Sequence, residues 1–150
     1  MRRVAALILL LGACSAKPVA LPRTEIPLRN PTAQVASQAD AALSRLAGGW
    51  VVVSGAGLAP GDRLTFSRDF IVLDGVSLPL REVTPGRLMV GEDALWVHWL
   101  DADNRTAAMG DPAGSRVWIM DRTGRPGERL RAAREILDWY GYDLARMEGG

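Results

Sequence analysis

The chain has 150 residues, 48% hydrophobic and 23% charged, with a formal net charge of +1, one histidine and one cysteine. That length supports one domain, the lone Cys excludes an internal disulfide or a multi-cysteine zinc site, and a single His leaves little for a His-based metal centre. The near-zero charge lacks the basic footprint of a nucleic-acid binder, and nothing in the composition asks for a cofactor.

The N-terminus reads first. Arg2 and Arg3 precede an unbroken apolar run, Val4 to Leu11. The run is too short for a membrane span, which needs about 20 residues, and suits the core of a signal peptide. Leu11-Gly12-Ala13-Cys14 then resembles the lipobox of a bacterial lipoprotein. The resemblance implies that residues 1–13 are cleaved off. It also implies that Cys14 carries a diacylglycerol and an acylated, palmitate-type amino terminus, so that the membrane is reached through an N-terminal lipid. Ser15, where Asp would retain a lipoprotein at the inner membrane, implies sorting to the outer membrane, facing the periplasm. The other reading is an ordinary signal peptide with an incidental Cys. Without residues 1–13 the chain keeps 16 basic and 17 acidic residues, and the positive balance disappears.

From Ser15 to Pro31 the prolines Pro18, Pro22, Pro27 and Pro31 recur without hydrophobic periodicity, which predicts a semi-extended spacer over residues 14–41. As a coil of roughly 30 residues it reaches about 30 Å and holds a domain clear of the headgroups. Ile26, Leu28 and Val35 are not tether-like and leave open an arm packed on the domain.

Residues 42–150 form that domain. Strands are predicted at Trp50–Ser54, Arg63–Ser67, Phe70–Leu73, Ser77–Val83, Arg87–Val90, Leu95–Leu100, Thr106–Met109 and Val117–Asp121. Turn signals separate them, such as Asp74-Gly75, Thr84-Pro85-Gly86 and Asp101-Ala102-Asp103-Asn104. Evenly spaced short strands with such turns predict an antiparallel barrel or sandwich, and eight suffice to close a barrel. Leu130, Ala133, Leu137 and Tyr140 then recur at three-to-four spacing, a helix with one apolar stripe that must bury against the barrel. Gly141 is its natural stop.

The chemistry-bearing residues are few. His98 has no Cys, Ser–Asp pair or second His to work with, and reads as a strand histidine. Asp101 to Asn104 alternates oxygens but lacks the glycine and terminal glutamate of a calcium loop, so a tight turn explains it better. Ser54-Gly55-Ala56-Gly57 leads to a proline and not to a helix, which argues against a phosphate loop. No acid–base–nucleophile set assembles, and no enzyme is expected. Five tryptophans are many for one small domain. Trp50 and Trp139 are assigned to packing, and alternation sets Trp96 and Trp99 on opposite faces.

Taken together, these elements resemble the lipocalin family. Gly48-Gly49-Trp50 after an apolar turn is similar to the opening G-x-W. Trp96 to Asp101, a strand ending in an acidic turn, is similar to the second conserved region. Trp118-Ile119-Met120-Asp121-Arg122 is similar to the third, and Trp139-Tyr140-Gly141-Tyr142-Asp143 to the end of bacterial lipocalins. The resemblance implies a mainly β fold, a small eight-stranded antiparallel up-and-down barrel with one C-terminal helix packed outside. It implies structural roles for Gly48, Trp50, Asp101 and Arg122, with Arg122 stacked across Trp50 at the barrel floor. It also implies a lumen lined by Val52, Ser54, Leu95, Val97 and Trp99. Its ligand would be a small hydrophobic or amphipathic molecule, a fatty acid or lysophospholipid. Trp50 to Asp121 is a short stretch for eight strands, however. The alternative expectation is a filled barrel that acts as a structural or interaction module of the envelope.

Overall fold

The computed structural model describes residues 20–150. The signal-peptide and Cys14 readings lie outside that range. Eight strands run in chain order: β1 (Gly48–Ala56), β2 (Arg63–Phe66), β3 (Phe70–Leu73), β4 (Val76–Thr84), β5 (Arg87–Val90), β6 (Asp93–Leu100), β7 (Thr106–Gly110) and β8 (Val117–Asp121). Each pairs antiparallel with the next, and β1 pairs with both β2 and β8, so the sheet closes into an up-and-down barrel. β2 reaches only Gly48 to Val51 of β1. The edge beyond is taken by a ninth strand, β9 (Glu148–Gly149), which pairs with Ser54 and Gly55. Closure plus this patch removes the exposed edge that an open sheet presents.

The floor of the barrel is built around Trp50. A short helix, α1 (Leu43–Leu46), leads into β1, and the Trp50 indole Nε1–H donates to Leu46 O at 2.7 Å. The Arg122 guanidinium lies 3.8 Å above the centre of the Trp50 ring. It also donates to Ala47 O at 2.8 Å, Arg45 O at 3.0 Å and Asn104 O at 3.0 Å. One planar cation therefore ties the entry to β1, the β6–β7 turn and the end of β8. Gly48 makes room for it. A Cβ there would sit 3.2 Å from Arg122 Nη1, on a backbone with φ of +100°.

The helix α2 (Arg129–Trp139) packs outside, against β6, β7 and β8. Ala133 and Leu137 are buried under it, and Leu130 and Tyr140 pack at its margins. Its position is fixed at the floor by Arg129, whose Nε donates to Asp101 Oδ2 at 2.8 Å. Burial works against a charge on Asp101, but the amides of Thr106 and Arg105 and the Arg129 guanidinium outweigh it. They hold the carboxyl below the usual range. Asp101 is thus a turn residue whose lone pairs are committed within the chain.

Two sequence expectations are corrected. Trp139 is not a packing residue. It falls off the Leu130–Ala133–Leu137–Tyr140 stripe and is 74% exposed. Of the two readings left open for residues 20–41, spacer or packed arm, the spacer is the one corrected. Leu21 and Ala41 are part of the barrel core, and Leu28 is buried beside the helix. The chain from Ala20 onward is an arm, which shortens any tether by more than half.

Replacing Arg122 by Ala strips the ring of its cation and leaves those carbonyls without their donor. The expected loss is about 2–4 kcal/mol of unfolding free energy in denaturant titration. Arg122→Lys should recover only part of it, because an ammonium cannot stack and fork at once.

Candidate functional site

The expected site is the lumen. Strand alternation from Trp50 puts Val52 inside, and Leu95 and Val97 are inside as well, all in the core with Trp118, Met109 and Phe66. Ser54 and Trp99 are not. Each follows an extra residue in its strand. β1 shifts register between Val52 and Ser54, and β6 between Val97 and Trp99. A one-residue bulge reverses the side that later residues face. Ser54 is thereby paired with Ile119 of the outer cluster, and its hydroxyl donates to Gly149 O at 3.2 Å. Trp99 packs against the outer cluster that includes Val117, Ile119, Ala133 and Leu137. Trp96 is outside too, under the Arg87 guanidinium at 4.1 Å, so the two tryptophans share the outer surface instead of opposing one another. After the bulge, Leu100 takes the inward place.

The inside is packed. No side chain of the barrel core exposes more than 5% of its surface. With almost no free surface left on these residues, they fill the lumen themselves. The mouth, opposite the Trp50 floor, is stoppered by Leu21 from the arm and Leu58 from the β1–β2 loop. A depression of about 720 Å³ remains over it, lined by Leu21, Leu78, Pro79, Val90 and Asp93. A second, of about 620 Å³, lies at the floor end between α1 and the β2–β3 turn.

Three side chains strap the arm down. Arg116 is almost wholly buried, donates to Pro22 O at 3.0 Å and pairs with Asp111 at 2.9 Å. Burial pushes the Asp111 carboxyl up despite that partner. Arg29 donates to Tyr140 O at 2.9 Å and to Pro112 O at 3.0 Å, joining the arm to the end of α2 and to the β7–β8 loop. His98 is the third strap. Its Nδ1 lies 2.7 Å from Ala36 O and its Nε2 2.7 Å from the Tyr142 hydroxyl, which lies 2.7 Å from Asp111 O.

The protons in this chain of contacts can be assigned from their partners. Ala36 O can only accept, so Nδ1 carries the proton. Burial, with Arg29 nearby, lowers the His98 pKa to about 4, so the ring is neutral at pH 7. Nε2 is then the acceptor, and the single Tyr142 hydrogen serves either Nε2 or Asp111 O. Burial and the Asp111 charge push the Tyr142 phenol well up, so it stays protonated. The sequence presents His98 as an ordinary strand residue and Tyr142 only as part of the C-terminal element, and gives no role to Arg29 or Arg116. Apart from Asp111, five residues before Arg116, the partners that seat the arm lie far away in the chain, and Gly110 is the other local signal. A Cβ at Gly110 would sit 2.5 Å from the Tyr142 oxygen and 3.1 Å from His98 Nε2.

No protein-family model matches the chain, and no curated protein matches it. The motifs described above are what carries the lipocalin resemblance.

Two outcomes follow from the His98 clasp. Unfolded His titrates near 6.5, so the unfolded chain binds more protons than the folded one between about pH 6.5 and 4. Stability is then full above that window and falls as the pH drops through it, by up to about 3 kcal/mol. Denaturant unfolding at pH 7 and pH 4 should show this loss, and His98→Gln should remove most of it. Equal pH slopes in the two proteins would refute the assignment. Gly110→Ala should cost about 1–3 kcal/mol at any pH by forcing the His98–Tyr142 contact apart.

Proposed function

We propose that this chain is a lipid-anchored, lipocalin-like interaction module of the bacterial cell envelope, whose barrel is filled by its own side chains. The observation that carries this reading is the packed interior. Val52, Leu95 and Val97, which a lumen ligand would touch, are each at most 1% exposed. Ligand pockets of lipocalin type need room, and here five of the eight barrel strands have only four or five residues. With the inside committed to stability, recognition falls to the outer surface and the two ends. The anchor reading is supported by Arg2, Arg3, the Val4–Leu11 run and the box before Cys14. The lipocalin reading is supported by the Arg122–Trp50 stack. No bond is made or broken in this account, and no cofactor or nucleic acid enters it.

A fatty acid or lysophospholipid in the lumen is the competing reading. The mouth depression favours it, since Leu21, Leu78 and Val90 belong both to its lining and to the core. Palmitate titration followed by tryptophan emission separates the two, because Trp50 and Trp118 belong to the core. The filled barrel predicts no saturable change into the high micromolar range, for the native chain and for Leu21→Gly alike. A saturable shift in the native chain makes it a ligand carrier. A shift confined to Leu21→Gly makes the plug, not the packing, the reason the lumen is closed, and refutes the filled reading as well.

A further inference from the structure

We propose that the mouth end of the barrel is a bilayer-docking surface, with Trp139 and Ile26 seated among the lipid headgroups; this rests on the reading of Cys14 as the lipid attachment point. The argument starts from where the chain leaves the barrel. Ala20 and Leu21 line the mouth, beside Leu78 and Val90. Only six residue steps separate Ala20 from Cys14. Fully extended they span about 20 Å. A 30-residue tether would have let the domain turn freely, but this one holds the mouth nearer to the lipid than the floor.

The exposed apolar residues agree with that orientation. α2 starts at the floor, where Arg129 bonds Asp101 of the β6–β7 turn, and ends at the mouth, where Arg29 joins Tyr140 O to Pro112 O of the β7–β8 loop. Trp139, at its last turn, is therefore a mouth-end residue. Ile26 is one as well, two residues after Thr24, whose amide donates to Ser115 O in the β7–β8 loop at 2.7 Å. Val76, 43% exposed, opens β4 at the same end. Among the described residues, three of the five large exposed hydrophobics thus lie at one end, with Ile26 at 69% and Trp139 at 74%.

These exposures are not fraying. Arg146 donates to Pro27 O at 2.8 Å and Ile26 O at 2.9 Å, and Asn30 N donates to Gly141 O at 2.8 Å. The segments bearing Ile26 and Trp139 are thereby clamped to one another. An isolated exposed Leu or Ile is ordinary on a soluble surface. A rigidly presented tryptophan and isoleucine at the tethered end match the headgroup layer, where an indole finds an apolar body and a wet N–H together. Among the described residues no helix is long and apolar enough to cross a membrane, so contact at this surface is by lying on the bilayer.

The test uses the full chain, made in a lipidating bacterial host and reconstituted into phosphatidylethanolamine–phosphatidylglycerol vesicles with brominated acyl chains. Tryptophan emission should be quenched in the native protein, and Trp139→Phe should lose most of that quenching while floating equally well with the vesicles. Equal quenching in both proteins, or none in either, overturns the docking surface and leaves the anchor standing. A native chain of unacylated mass that does not float overturns both. A dimer in solution that Trp139→Ser disperses, without quenching on vesicles, assigns this face to a second copy and overturns the proposal.

Discussion

The Arg122 guanidinium on the Trp50 ring is the contact on which the rest of this barrel depends. An up-and-down sheet closes only if its first and last strands are brought together and kept in register. Here the first strand and the segment after the last one meet at that stacked pair. Because the same cation also holds the carbonyls of Arg45, Ala47 and Asn104, it sets the floor, the α1 turn and the β6–β7 turn at once. The interior can then be built entirely from aliphatic and aromatic side chains. The polar work is moved outside, to arginines that reach backbone carbonyls.

That division of labour explains what could be read in advance. The strands were legible because their punctuation is chemical. Asp74-Gly75 and Thr84-Pro85-Gly86 break the chain where it turns, and Leu78, Leu80, Leu88 and Val90 alternate between breaks. The helix was legible because Leu130, Ala133 and Leu137 repeat at its period. The inward faces of Val52, Leu95 and Val97 followed from simple alternation. Beyond those residues alternation fails, since a bulge is one extra residue with no composition of its own. The shifts after Val52 and Val97 carried Ser54 and Trp99 to the outside.

The arm stayed open beside a spacer for a different reason. Prolines at Pro18, Pro22, Pro27 and Pro31 describe the local stiffness of a segment, not what it lies against. Its seat is supplied by Arg116 at Pro22 O, by Tyr140 and Pro112 for Arg29, and by His98 at Ala36 O. These partners come from the second half of the chain, and no window short enough to show periodicity contains both ends of any of them. The filled lumen was more accessible, since the short span from Trp50 to Asp121 already limits the enclosed volume.

The pairing of the arm with residues 140–146 has a consequence for the order of assembly. Asn30 docks on Gly141, Leu28 O on the Asp143 amide, and Ile26 and Pro27 on Arg146. These contacts join segments more than a hundred residues apart, the kind of long-range closure that slows folding. Residues 26–30 therefore complete their seat only once residues 140–146 are placed. Until then they hold only the β7–β8 loop side of that seat.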